Sequence, residues 1–194
     1  MELIFSTQNQ NKANEIQKLV PEGITIKTLK DINCADDIPE TQDTLQGNAL
    51  QKARYVHEKF GVNCFADDTG LEIEALNMEP GVYSARYAGP ERSDDNNMQK
   101  VLDLLADKSN RNARFRTAVA LIINGEEHLF EGIVNGEIRT AKSGDQGFGY
   151  DPIFEPENAG KTFAEMSTEE KNSMSHRARA FAKMTDFLAK YQSK

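Results

Sequence analysis

A pair of adjacent aspartates at the end of an apolar run constrains this chain more than any other feature. Residues 62–66 read as the end of a buried strand, and Asp67 and Asp68 follow at once. We expect a Thr-Gly turn at residues 69–70 and a second strand, alternating apolar and acidic, at residues 71–75. Adjacent carboxylates that are buried repel each other and lose hydration, so they need a cation or protons as compensation. Mg²⁺ would serve, since it typically bridges carboxylates to phosphates. A solvated turn is the alternative.

The length and charge of the chain bound its organisation and its partners. Its 194 residues suit one domain over residues 1–194, or two lobes that share one core. A net charge of −8 argues against DNA or RNA as the partner, because counterion release needs clustered lysines and arginines. A small anionic ligand held by a few lysines and a metal is still compatible with this charge.

Two further patterns favour a cytoplasmic protein without a membrane partner. No apolar run is long enough to span a bilayer, and the chain begins with a strand-like segment that no basic region precedes. The two cysteines, Cys34 and Cys64, form no C-x-x-C pair, so reduced thiols are expected.

A polar loop joins the first predicted strand, residues 3–6, to an amphipathic helix. A strand, a polar loop and a helix N-terminus together form an anion site, because free backbone N–H groups and the helix dipole point at the ligand. This segment is not a Walker P-loop. A plain strand–helix connection with an asparagine cap is the alternative. The polar residues of the loop are Thr7, Gln8, Asn9, Gln10, Asn11 and Lys12.

A second helix is predicted to begin after Asp43 or Thr44 and to end near Phe60. Glu40 lies in the polar stretch just before it. Asn48 and Lys52 are four residues apart, so they share one face of the helix, away from the apolar stripe. A solvated surface lysine is the alternative interpretation of Lys52.

The second half of the chain contains a hairpin and a glycine-rich loop. Residues 114–123 and 127–138 are predicted to pair through an Asn-Gly turn. Residues 143–152 then place three glycines around Phe148 and Tyr150, so that the backbone can approach a ligand and a base can stack on an aromatic face. A glycine-rich surface loop is the alternative.

The C-terminal segment is predicted to be two helices and not one. In one continuous helix, Lys171 and Arg177 would point about 120° apart. A break near Ser173, with Ser175 as the N-cap of the final helix, would let both side chains reach one ligand.

Seven short motifs occur in a fixed order along nearly the whole chain. They are Thr7-x-Asn9-x-x-Lys12, Asn48-Ala49-x-x-Lys52-Ala53, Ala66-Asp67-Asp68-Thr69-Gly70-Leu71, Pro80-Gly81-Val82-Tyr83-Ser84-Ala85-Arg86-Tyr87, Gly147-Phe148-Gly149-Tyr150-Asp151-Pro152, Glu170-Lys171 and Ser175-His176-Arg177. With these motifs the chain resembles the inosine triphosphate pyrophosphatase (Ham1-like) family, which acts on non-canonical purine nucleoside triphosphates. There is one departure: Gln8 and Asn11 stand where the family usually has glycines in the triphosphate cradle.

The resemblance implies an elongated, two-lobed α/β fold. A long central mixed β-sheet would be flanked by helices, with the active-site cleft between the lobes, and the protein would form a homodimer. Asp68 would be the general base and a metal ligand, and Glu40 a second ligand of Mg²⁺. The phosphates would contact Thr7, Gln8, Asn9, Gln10, Asn11, Lys12, Lys52 and Thr69. The nucleotide and base pocket would contain Phe148, Gly149, Tyr150, Asp151, Lys171, His176 and Arg177.

The implied reaction is hydrolysis of ITP, dITP or XTP between the α and β phosphates, with release of pyrophosphate. Arg177 can only donate hydrogen bonds, so it would donate to a keto oxygen at position six of the purine and disfavour the amino group of adenine. A nucleotide-sensing module without turnover is one alternative, although the acidic residues at positions 40, 67 and 68 argue against a pure triphosphate binder. A pyrophosphatase for other modified nucleotides is a second alternative.

Overall fold

The protein is an α/β protein, as predicted. The computed structural model describes residues 1–192, apart from the side chain of Asn11. The strands are β1 (Glu2–Phe5), β2 (Thr25–Thr28), β3 (Cys64–Ile73), β4 (Glu79–Pro80), β5 (Asn112–Ile123), β6 (Glu126–Ile138) and β7 (Phe154–Pro156). The α-helices are α1 (Gln10–Gln17), α2 (Leu45–Phe60), α3 (Asp94–Leu104), α4 (Thr168–Met174) and α5 (His176–Gln192).

The sheet is mixed, which confirms the predicted class. Its strand order is β2-β1-β3-β5-β6-β7, and β4 pairs with β3 outside this path. Strand β1 runs parallel to both β2 and β3, whereas the β3–β4 and β6–β7 pairs are antiparallel. Parallel neighbours need a crossover connection, and helices α1 and α2 lie in the connections that lead to β2 and β3 respectively.

The chain divides into two compact units. The first unit contains residues 1–68, residues 117–131 and the segment from Arg179 onward; the second contains residues 69–116 and 132–178. The division therefore falls between Asp68 and Thr69, within β3.

The core of the first unit is built from apolar residues of the strands and of α5. Phe5 and Phe65 stack with ring centroids 4.5 Å apart, and Phe181 meets both rings edge-on. All three rings are fully or almost fully buried. Offset stacking and edge contacts add to the burial of such rings, so the end of β1 and the start of β3 are firmly placed.

The core of the second unit centres on Phe115. The centroid of its ring lies 4.7 Å from that of Phe154 and 6.0 Å from that of Phe163. The imidazole of His176 stacks on the same ring, with the centroids 4.7 Å apart. The start of α5 is thereby attached to β5.

The turn predicted at residues 69–70 is wrong. Strand β3 continues through both aspartates from Cys64 to Ile73. Backbone groups within a sheet are satisfied by the strands on either side, and β3 has β1 on one side and β5 on the other. This pairing outweighs the local turn preference of Asp-Asp-Thr-Gly, so the aspartates lie inside a strand and not at its end.

Three local predictions are confirmed. The Asn-Gly turn joins β5 to β6, with a positive φ of 51° at Asn124 and 81° at Gly125, as a type I′ turn requires. Thr44 caps α2, and its hydroxyl accepts a hydrogen bond from the amide of Gly47. The C-terminal break falls at Ser175, whose hydroxyl accepts from the amide of Ala178 at 3.2 Å.

Within residues 1–192, none of the helices has the length and apolar character needed to cross a membrane.

Candidate active site

The first unit brings two lysines and the predicted carboxylates together. The ammonium of Lys52 donates to the backbone carbonyl of Asp67 at 2.6 Å and forms an ion pair with Glu40. The ammonium of Lys12 lies 3.6 Å from Oδ2 of Asp67. We call Glu40, Asp67 and Asp68 the acidic cluster. Each lysine is therefore held by a member of this cluster.

The two aspartates face different partners because adjacent residues of a strand point to opposite faces of the sheet. Asp67 is buried and faces Lys12 in the first turn of α1. Asp68 is half-buried, and its Oδ2 accepts a hydrogen bond from the side-chain amide of Asn48 in α2 at 3.0 Å. The carboxylate of Asp67 thus pairs with Lys12 of α1, while Asn48 of α2 orients the carboxylate of Asp68.

Two amide side chains of α2 fix the loop that carries Glu40. The carbonyl oxygen of buried Asn48 accepts from the backbone amide of Gln42 at 2.9 Å, while its NH₂ group holds Asp68. Gln51 bonds to Thr41 twice, accepting from its backbone amide and donating to its hydroxyl, each at 2.9 Å. The helix therefore positions the loop and the Asp68 carboxylate relative to each other.

Burial and charge set the protonation of this cluster. Burial raises the pKa of Asp68 to about 6, because the effects of Lys52 and Asn48, which lower it, do not fully offset the loss of hydration. Burial alone would lower the pKa of Lys52, but Asp67, Asp68 and Glu40 raise it above its ordinary value. Asp68 can thus accept a proton near neutral pH, while Lys52 stays charged.

The polar loop after β1 is tied together by its own side chains. The hydroxyl of Thr7 accepts from the amide of Asn9, and Oδ1 of Asn9 accepts from the amide of Lys12, both at 3.2 Å. The side chain of Gln8 donates to the carbonyl of Cys34 at 3.5 Å. Phosphate binding by residues 7–12 remains a prediction.

The other two predicted members of this loop are Gln10 and Asn11, at the start of α1. Gln10 begins α1 and donates to Oδ1 of Asn14 at 3.0 Å, one turn further along the helix. The side chain of Asn11 lies outside the described part of the structure, so its predicted contact with phosphate cannot be placed.

The donor chemistry of the acidic cluster fits a hard divalent cation. Glu40 and Asp68 offer carboxylate oxygens, the ligands that Mg²⁺ prefers, and Mg²⁺ typically takes only one or two carboxylates together with substrate phosphates. The ammonium of Lys52 already lies among these oxygens, which indicates a position that favours positive charge. Among the described residues there is no cluster of three or more His, Cys, Asp or Glu side chains arranged to hold a metal.

The second unit brings an exposed aromatic ring together with two cations. The side chain of Phe148 is 63% exposed. The ammonium of Lys171 lies 4.8 Å from its ring centroid, and the guanidinium carbon of Arg177 lies 6.0 Å from it. Such distances are typical of cation–π contacts. With the helix break at Ser175, both side chains approach one ring, and their predicted approach to one ligand remains a prediction.

Asp151 and Gly147 hold the loop that carries Phe148. Oδ2 of the buried Asp151 accepts from the backbone amide of Phe148 at 3.0 Å and forms an ion pair with Lys171. Gly147 has a φ of 76°, and a Cβ there would lie 2.0 Å from the same oxygen, so only glycine fits.

The other predicted residues of the base pocket contribute mainly to packing. Tyr150 is buried, and its hydroxyl donates to the carbonyl of Ser84 at 2.6 Å. His176 is buried against Phe115. Of the two aromatic side chains in the loop, Phe148 is therefore the one presented at the surface. Thr69, the first residue of the second unit, is half-buried in β3.

The Ham1 family model matches residues 3–187 of this chain. The chain belongs to the Ham1 family. It is 54% identical to the dITP/XTP pyrophosphatase of Flavobacterium johnsoniae over 188 residues, which cover 97% of this chain and 98% of the relative. It is 44% identical to the dITP/XTP pyrophosphatase of Bacillus subtilis, with 96% of each chain covered.

Solved structures of Ham1 proteins have the same fold. The Staphylococcus aureus Ham1 protein matches with a TM-score of 0.94 and 36% identity, covering 98% of this chain and 100% of that one. A Ham1 protein from Coxiella burnetii matches with a TM-score of 0.93 and 38% identity, covering 98% and 99%. The predicted family and the α/β fold class are thereby confirmed.

Sequence reasoning assigned no role to several residues that hold these clusters. The spacing of Asn48 and Lys52 on one helix face was a usable signal for Asn48. No sequence pattern connects Gln51 with Thr41, or Asp94 with Gly149, whose amide donates to Oδ2 of Asp94 at 2.8 Å across 55 positions.

Proposed function

We propose that this protein hydrolyses the non-canonical purine nucleoside triphosphates ITP, dITP and XTP to the monophosphate and pyrophosphate. This activity removes altered purines from the nucleotide pool before they enter DNA or RNA. Relatives named dITP/XTP pyrophosphatase, at 54% and 56% identity over nearly the full length, support the substrate class. The observation that carries the proposal is Asp68, a half-buried carboxylate with a pKa of about 6 beside a charged lysine.

Asp68 acts as the general base in this proposal. With a pKa of about 6, it is ionised at neutral pH and still basic enough to take a proton from the attacking water. Asn48 orients its carboxylate. Glu40 and Asp68 would hold Mg²⁺, which when bound supplies a Lewis acid for the phosphate oxygens.

Lys12 and Lys52 stabilise the leaving pyrophosphate. Negative charge grows on this group in the transition state, and fixed cations placed nearby lower its free energy. In the free protein both lysines are held by the acidic cluster. Binding of a triphosphate therefore exchanges carboxylate partners for phosphate partners. Thr69 and residues 7–11 are proposed as further phosphate contacts.

The cluster around Phe148 recognises the base in this proposal. Phe148 offers a stacking face, and Arg177 offers only donors, which suit the keto oxygen of hypoxanthine or xanthine. Lys171 lies over the same ring and adds a second donor. The backbone of Gly149, with Tyr150, Asp151 and His176, forms the frame of this pocket.

Two further properties complete the proposal. A homodimer is proposed from the family resemblance. A cytoplasmic location is proposed from Cys34 and Cys64, which are both buried free thiols.

A substrate panel tests the proposed activity. Pyrophosphate release should be measured from ITP, dITP, XTP, ATP, GTP and a pyrimidine triphosphate, with and without Mg²⁺. We expect rapid release from ITP, dITP and XTP only with the metal, and slow release from ATP. Binding of ITP without release would favour a nucleotide sensor. Turnover confined to another nucleotide would favour a pyrophosphatase of different specificity.

A further inference from the structure

Several hydrogen bonds hold the loop that presents Phe148, and three of them involve a side chain and one of the residues 148–150. Asp151 binds the amide of Phe148 itself. The phenol of Tyr150 donates to the carbonyl of Ser84, and burial raises the pKa of this phenol, so it remains a donor at neutral pH. The third bond runs from the amide of Gly149 to Oδ2 of Asp94, at 2.8 Å.

Asp94 stands on a firmly anchored helix end. It is the first residue of α3, and the preceding Ser93 caps that helix by accepting from the amide of Asn96. In the same turn, the buried side chain of Asn97 accepts from the amide of Ala88 at 2.7 Å and donates to the carbonyl of Ala85 at 3.1 Å. The backbone at Asp94 is therefore firmly placed, and its exposed side chain extends from this anchored helix end.

The residues on either side of Phe148 have little intrinsic stiffness. Gly147 and Gly149 flank Phe148, and both have positive φ values, of 76° and 61°. Glycines in this region of conformational space have a large freedom to lose. The contact at Gly149 therefore adds a fixed point directly after the exposed ring, beside those that Asp151 and Tyr150 already provide.

We propose that Asp94 is a positioning residue for base recognition. By accepting the hydrogen bond from Gly149, it holds the Phe148 ring in the position where Lys171 and Arg177 lie beside it. This inference rests on the proposed function, in which Phe148 stacks on the purine. Asp94 belongs to the second unit and touches neither lysine of the phosphate side, so its loss affects the base and not the phosphates.

Three variants isolate this contact. Asp94→Ala removes the acceptor, whereas Asp94→Asn keeps a carbonyl oxygen that can accept from Gly149. Asp95→Ala is the matched control, because Asp95 is the next residue, is exposed, and pairs with Lys142 instead of with the loop. Binding of inosine monophosphate and of tripolyphosphate, a probe without a base, should be measured by calorimetry, together with kcat and KM for ITP.

We expect Asp94→Ala to weaken inosine monophosphate binding and to raise KM for ITP by about three- to tenfold, the effect of one hydrogen bond. Tripolyphosphate binding and kcat should change by less than about twofold, since phosphate charge dominates both. Asp94→Asn and Asp95→Ala should behave like the wild type, and melting curves should report a folded protein for all three.

Several results would overturn the inference. Unchanged inosine monophosphate binding in Asp94→Ala would do so, and so would an equal loss for inosine monophosphate and tripolyphosphate. A defect in Asp94→Asn as large as in Asp94→Ala would assign the effect to charge and not to the hydrogen bond. If wild-type protein neither binds inosine monophosphate nor releases pyrophosphate from ITP, the proposed function is wrong, and the role of Asp94 in base recognition is wrong with it.

Discussion

Each unit contains a lysine paired with a carboxylate, and the two pairs differ in the exposure of the acid. In the first unit, Lys52 and Glu40 have side chains that are 14% and 32% exposed. In the second, Lys171 is exposed to a similar extent, 15%, but Asp151 is only 3% exposed and also binds the amide of Phe148. A partly exposed carboxylate can exchange its lysine for another cation, whereas a buried one that holds a loop cannot.

This difference separates two tasks. The pair of Lys52 with Glu40 suits the binding of charge that arrives and leaves with the substrate, because its carboxylate is partly exposed and can exchange partners. The cluster around Phe148 suits recognition of shape and of hydrogen-bond acceptors, because Asp151 keeps Lys171 and the loop in place. Removing a buried partner leaves an uncompensated charge, so the pair in the second unit is expected to be structural.

The largest effect should come from Asp68→Asn. The asparagine keeps the shape and can still accept from Asn48, but it cannot take a proton. Loss of a general base costs about 10²–10⁴-fold, and loss of a metal ligand adds to this. Pyrophosphate release from ITP should therefore become undetectable, while the melting curve reports a folded protein. Near-normal turnover in the folded variant would remove Asp68 from the catalytic role.

Asp67→Asn is the matched control for this substitution. Asp67 is the adjacent residue in β3 but faces Lys12, so its replacement should cost at least about tenfold less activity than Asp68→Asn if the two carboxylates have separate tasks. Equal losses would mean that the two aspartates act as a unit.

Asp68→Asn should also stabilise the protein in the absence of metal. Because the folded-state pKa of Asp68 is raised from 3.8 to about 6, its neutral form stabilises the fold fully below about pH 4, and this contribution is lost as the pH rises through about 6. The asparagine side chain of the variant stays neutral throughout. In EDTA, the free energy of unfolding of Asp68→Asn should therefore exceed that of the wild type by on the order of 3 kcal/mol at pH 7.5 and by little at pH 4.

Urea unfolding at pH 4, 6 and 7.5 measures this difference. Added Mg²⁺ should reduce it at pH 7.5, since a ligand that binds the native state stabilises it more when it binds more tightly, and only the wild type keeps both carboxylates. A difference that does not change with pH would contradict the explanation by buried charge.

The sequence predicted what depends on neighbours along the chain. The Asn124-Gly125 turn, the Thr44 cap and the break at Ser175 are set by a few adjacent residues, and all three are present. The prediction of a turn after Asp68 was wrong because the local turn preference of these residues competes with pairing to strands from distant parts of the chain.

The supporting contacts of both clusters could not be predicted for the same reason. The bond from Asn48 to Asp68 spans 20 positions, and the bond from Gly149 to Asp94 spans 55. Residue types suggested which side chains carry charge or stack, but only the fold determines which polar groups orient them.

The smallest of these effects should come from Arg177→Ala, and it tests whether the second unit reads the base. Arg177 approaches the Phe148 ring from the first turn of α5, just after Ser175 caps that helix. It offers only donors, so its removal should lower kcat/KM for ITP by an amount equal to about 1–3 kcal/mol of transition-state free energy. The kcat/KM for ATP should change much less.

Arg179→Ala, at an exposed arginine two residues later, is the control. Both kcat/KM values should be measured for each variant, with a melting curve. If Arg177 only binds phosphate or packs the two C-terminal helices, activity on both nucleotides should fall by the same factor. An unchanged ratio of ITP to ATP would therefore show that base choice depends on other residues, with Lys171 the next to test because it lies over the same ring.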